Sequence, residues 1–80
     1  RGLHGIQDDV AAIHWYHKAA RAGHVESMTA YGWMLANGRG TQVDKAEAMH
    51  YLQKAKAAGN LAAAKFIAEM QANYKTIMGV

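Results

Sequence analysis

The chain has no cysteine and no proline, and none of its apolar runs approaches the roughly 18–20 residues of a membrane span. Without cysteine there is no disulfide framework, no thiolate metal site and no cysteine nucleophile, an absence compatible with any compartment. Without proline nothing in the interior interrupts a helix, and abundant Ala, Lys, Glu, Gln and Met favour helix almost throughout. A Gly-x-Ser-x-Gly elbow and a phosphate-binding P-loop are also missing, which removes the commonest hydrolase and nucleotide-triphosphatase signatures. Acidic residues are few, six against nine Lys and Arg, and the net charge is +3. The basic residues are spread along the chain as Arg1, Lys18, Arg21, Arg39, Lys45, Lys54, Lys56, Lys65 and Lys75. That dispersion argues against a nucleic-acid face, which needs clustering. The chain starts at Arg1, which reads as a trimmed or cleaved end, and a targeting segment removed from it would leave no trace.

What is present is a repeat. Asp8, Ala12, Trp15, Tyr16, Ala19 and Gly23 recur as Asp44, Ala48, Tyr51, Leu52, Ala55 and Gly59, each pair offset by 36. A fixed period in the range of roughly 20–50 residues marks a solenoid, in which stacked units bury a continuous core. Eighty residues make one small module, and a chain this short buries only about 60% of the surface its unfolded form exposes.

The spacing within each copy is helical. Ala12, Trp15, Tyr16 and Ala19 fall at i, i+3, i+4 and i+7, the spacing of one buried face, and Ala48, Tyr51, Leu52 and Ala55 repeat it. On this pattern Trp15 is a core residue. Asp8 and Asp44 stand where a helix N-cap is wanted, and Glu47 completes a capping-box pattern behind Asp44. Gly23 and Gly59 stand where each helix ends in a left-handed residue, and Lys18, Arg21, Lys54 and Lys56 complement the helix dipoles nearby. Another helical stretch follows each glycine at once, so the flanking helices are antiparallel neighbours. Asn37 to Thr41, with Gly38 and Gly40, is the clear interior loop. The reading is all-α, with four helices at about 8–22, 25–36, 44–58 and 61–74. Arg1 to Gln7 is the end of a loop, and residues 75–80 are a frayed terminus.

With helices and loop in place, the chain resembles the Sel1-like repeat, a relative of the tetratricopeptide repeat. The family pattern is a Gly-x-Gly loop, an aspartate, an alanine, an aromatic pair, Lys-Ala-Ala and a closing glycine. A helix carrying Ala-x-x-Leu-Gly follows. Gly38, Gly40, Asp44, Ala48, Tyr51, Leu52, Lys54, Ala55 and Gly59 match it. So do Asp8, Ala12, Trp15, Tyr16, Lys18, Ala19, Ala20 and Gly23, with Tyr31-Gly32 at the Leu-Gly position. His4 stands in place of the second loop glycine of the first copy, Lys56 in place of an alanine, and Ala68 in place of Gly32. No Gly-x-Gly loop follows Tyr74, so the 61–74 helix is expected to cap the array, while the first helix lacks a preceding partner.

The resemblance implies a short α-solenoid that binds a protein or peptide on its concave face, lined by the first helix of each pair. In the 25–36 helix, Met28, Tyr31, Gly32 and Leu35 belong to packing, which leaves Glu26, Thr29, Trp33 and Asn37 for the groove. Adding 36 gives Ala62, Lys65, Glu69 and Asn73. Trp33 is the candidate anchor, because tryptophan desolvates a large flat area at low entropic cost. The competing reading folds Trp33 over its own helix pair. Two rival functions stand beside this one. One is an assembly subunit, including a bacterial immunity-type adaptor, self-associating or docking through the open N-terminal helix. The other is a cell-envelope module for peptidoglycan or another polysaccharide. Bacterial periplasm, cell envelope and cytoplasm all remain compatible.

Catalysis, cofactors and metals are not expected. Asp8 and Asp9 are adjacent and do not face each other on a helix. His14 and His17 share one helix, but equivalent positions such as His50 lie about a repeat away, too far to complete a zinc site.

Overall fold

A computed structural model describes the backbone of residues 2–77 and the side chains of residues 8–72. Four helices follow one another: α1 Gly2–Arg21, α2 Val25–Asn37, α3 Lys45–Ala57 and α4 Leu61–Ile77. No strand occurs among the described residues. Successive helices pack side by side, α2 most extensively against α3, and α2 also touches α4 lightly.

The turns between helices are set by chemistry that recurs at the repeat offset. Gly23 and Gly59 take φ of +94° and +99°, the left-handed region that a Cβ disfavours. At the first turn the His24 amide donates to the Ala19 carbonyl and the Gly23 amide to the Ala20 carbonyl. At the second, Asn60 donates to Ala55 and Gly59 to Lys56, so both helices end in the same Schellman closure. The next residue then opens the following helix. His24 Nδ1 accepts from the Ser27 amide at 3.2 Å, and Asn60 Oδ1 accepts from the Ala63 amide at 2.9 Å. One residue thus closes a helix and caps the next, which explains why three residues suffice for each turn, Ala22 to His24 and Ala58 to Asn60.

Asp44 caps α3 as its sequence position requires, its Oδ1 accepting from the Glu47 amide at 3.0 Å. The reciprocal half of the capping box is replaced, because the Asp44 amide donates to the Leu35 carbonyl across the loop. Asp8 does not cap α1. That helix already runs from Gly2, and residues 2–7, expected as loop, are helical. With His4 in place of a loop glycine and no proline nearby, nothing stops the helix there, and one glycine in a helix costs only about 1 kcal/mol. At the other end α4 continues through Ile77, beyond the expected stop at 74, while residues 78–80 lie outside the described residues.

The core sits on the α2–α3 contact. Ala48, Leu52 and Ala55 of α3 are fully buried, with Met28, Tyr31 and Leu35 of α2 against them. A Cβ on Gly32 would lie 2.7 Å from Leu52 Cγ, so the glycine lets the two backbones approach. Rings tie three helices together: His17 stacks on Tyr31 at 4.6 Å, and Tyr51 meets Tyr31 edge-on at 5.0 Å.

The assignment of Trp15 to the core is overturned. Trp15 is 69% exposed and Tyr16 38% exposed, whereas their counterparts Tyr51 and Leu52 are 8% and 0% exposed. The residues obey the same spacing, but α3 has α2 packed over that face and α1 has no helix before it among the described residues.

Candidate functional site

Where α1, α2 and α4 converge they leave an open groove of about 610 Å³. Each wall is a short helical stripe. From α1 come Asp9, Ala12 and Tyr16, spaced by three and four, and from α2 Glu26, Thr29, Ala30 and Trp33 at i, i+3, i+4 and i+7. Met34 lies beside them, and α4 adds Ala62 and Phe66 with the capping Asn60 at its start. The surface is mostly apolar, and three aromatic rings, Tyr16, Trp33 and Phe66, border it.

Trp33 stands between the core and the groove. It is half-buried, packs against the core and still lines the groove. Its setting is held from two sides. The Asn37 amide donates to the Trp33 carbonyl at 2.8 Å, and the Arg39 guanidinium lies 5.6 Å from the centre of the indole. Arg39 in turn is fixed by Asp9: Nε donates to Oδ2 at 2.8 Å and Nη2 to Oδ1 at 3.1 Å. That hydrogen bond, and then the charge of Asp9, hold the guanidinium pKa above its ordinary value.

The sequence-derived stripe is therefore divided. Glu26, Thr29 and Trp33 line the groove, although Thr29 is buried and its hydroxyl donates back to the Val25 carbonyl at 3.4 Å. Asn37 is exposed and spends its amide on the Trp33 carbonyl, outside the lining. Lys65 and Glu69 are exposed on α4 and do not line the groove, where Phe66 stands instead. The side chain of Asn73 lies outside the described residues. Sequence reasoning missed Tyr16, Arg39 and Phe66. The signal for Phe66 was its i+4 spacing from Ala62, already assigned to this face.

A second depression of about 580 Å³ lies along α1, lined by His14, His17, Lys18, Arg21 and Ala22. His14, His17, Lys18 and Arg21 fall at i, i+3, i+4 and i+7 and so share one face of the helix. Among the described residues no group of three His, Cys, Asp or Glu is placed to hold a metal ion. No helix there is long and apolar enough to cross a membrane.

Antiparallel helix pairs repeating at a fixed offset, joined by one recurring turn and leaving a groove on one side, define a short α-solenoid. Within that class, the model of the Sel1 repeat matches residues 1–24 and 25–60, and the chain belongs to the Sel1 repeat family. The boundary between matches falls between His24 and Val25, and the second ends at Asn60, so both end on the residue that caps the next helix. The chain is also 29% identical over 79 residues to Protein sel-1 homolog 2 of Homo sapiens. That alignment takes in 99% of this chain and 11% of the relative, so the chain spans about a tenth of that protein's length. No solved structure matches. Repeats of this family generally mediate contacts between proteins, on a scaffold that is not itself catalytic.

Proposed function

We propose that this chain is a non-catalytic interaction module that seats a protein or peptide partner in the groove between α1, α2 and α4, with Trp33 as the anchor. The supporting observation is the groove itself, an open apolar surface with an indole in its wall and the Arg39 guanidinium over that ring. Truncating a central interface tryptophan typically costs about 2 kcal/mol or more, roughly thirtyfold in affinity. Trp33 also packs on the core, so Trp33→Ala tests stability and binding together. Ala62→Gln separates them, because Ala62 is exposed and lines the groove. The test is selection of a random-peptide display library on the immobilised module. Peptides that bind the wild type and lose affinity at least about tenfold for a folded Ala62→Gln variant support the reading. Peptides that bind both equally, or no enrichment at all, overturn it.

A second reading is favoured by the exposed Trp15. The α3 face equivalent to that of α1 is covered by α2, and the α1 face bearing Trp15 and Tyr16 presents the same residue pattern uncovered. In that reading a second copy of the chain docks a helix there, and self-association is the outcome. Sedimentation across a dilution series with Trp15→Glu tests it: a concentration-dependent dimer abolished by the substitution supports the reading, and a wild-type monomer throughout overturns it.

A further inference from the structure

Among the described residues, the ionisable groups around the groove are balanced except at one point. Asp9 and Arg39 neutralise each other through a forked pair. On the α4 side, Lys65 and Glu69 are exposed, one turn apart and opposite in sign. Glu26 is different. It is exposed at the first turn of α2, lines the groove, and makes no ion pair or side-chain hydrogen bond among the described residues. Its place at a helix N-terminus suits the dipole, which accounts for a carboxylate there without assigning it a partner. The groove thus carries an unanswered negative charge on a chain whose net charge is +3.

We propose that the groove is selective for a basic peptide segment, one that puts a lysine or arginine against Glu26 and an aromatic or long aliphatic side chain against Trp33, Tyr16 and Phe66. The proposal rests on the groove being the ligand site and adds the chemistry of the ligand. Geometry also sets a spacing. Glu26 and Trp33 are seven positions apart on α2, about 10 Å along the axis at a rise of about 1.5 Å per residue. An extended peptide covers that distance in about three residues. The cation and the apolar anchor are therefore expected about three positions apart. An acidic segment is disfavoured because its carboxylate would meet Glu26 with Arg39 already committed to Asp9.

The experiment is selection of the same random-peptide library on wild type, Glu26→Gln and Glu26→Lys, with every recovered peptide checked for loss of binding to Ala62→Gln. Peptides that depend on the groove are expected to carry Lys or Arg two to four positions from Trp, Phe, Leu or Met. Their affinity should fall about fivefold for Glu26→Gln, the scale of a partly solvated ion pair. It should also fall as salt is raised from about 0.05 to about 0.3 M on the wild type. Glu26→Lys should lose these peptides and enrich acidic ones. Groove-dependent peptides with no basic enrichment and no salt dependence overturn this proposal and leave the groove reading standing. A library that yields no groove-dependent peptide overturns both.

Discussion

Arg39 reaches 30 residues back along the chain to clasp Asp9, with two parallel hydrogen bonds at 2.8 and 3.1 Å. The contact fastens the loop between α2 and α3 onto α1 and, through the same guanidinium, sets a cation over the face of Trp33. Both side chains keep solvent access, so screening limits what the pair adds to stability. A double-mutant cycle of Asp9→Asn and Arg39→Gln should show a coupling at about 0.01 M salt that vanishes near 1 M, where the Debye length is about 3 Å. Equal coupling at both salts would mean the pair acts by packing. The guanidinium pKa is raised in the fold, so its share is fully present below the ordinary value and is lost only in strong alkali.

Trp15 and Tyr51 occupy equivalent positions and should respond oppositely to truncation. Tyr51→Ala removes a buried ring in contact with Tyr31 and is expected to cost about 3–5 kcal/mol. Trp15→Ala acts on an exposed side chain and should fall within about 1 kcal/mol of wild type. Urea unfolding of both variants measures the difference. A cost for Trp15→Ala matching that of Tyr51→Ala would mean that α1 is covered in solution.

Gly32 and Ala68 make a second equivalent pair. Alanine is the better helix former by about 1 kcal/mol, so propensity alone predicts that Gly32→Ala stabilises. A Cβ there would meet Leu52 Cγ at 2.7 Å and the Ala48 carbonyl oxygen at 3.1 Å, and overpacking of this kind costs about 1–3 kcal/mol. Gly32→Ala is therefore expected to be neutral to destabilising, and Gly32→Val clearly destabilising. Ala68 is exposed, so Ala68→Gly should lose only its propensity, about 1 kcal/mol. A denaturant midpoint that rises for Gly32→Ala would refute the close approach of α2 and α3.

The Tyr31 phenol has its pKa pushed above the ordinary 10.0, first by burial, then by Glu47, Tyr51 and Asp44, which disfavour a further negative charge. The folded state thus holds a proton that the unfolded chain gives up. Stability from this group is complete below pH 10.0 and falls as pH rises from there towards the folded-state value. Tyr31→Phe should flatten the alkaline limb of a stability-versus-pH curve measured from pH about 9 to 11. An unchanged slope would assign alkaline sensitivity to the other tyrosines.

Features that depend on a few consecutive residues were legible in the chain. The repeat offset, the Asp44 cap, the left-handed turns at Gly23 and Gly59 and the helix–turn–helix order all follow from near-neighbour hydrogen bonds and backbone sterics. Glu26 and Trp33 could be set on one stripe for the same reason, since a helix fixes which residues share a face. Burial was not legible, because it belongs to whatever packs opposite. Identical spacing leaves Tyr51 beneath α2 and Trp15 in solvent. The pairing of Asp9 with Arg39 and the place of Phe66 in the groove likewise arise only when α1, α2 and α4 converge. The repeat determined the helices and their turns; the stacking of those helices decided which faces are core, which are groove and which stay open.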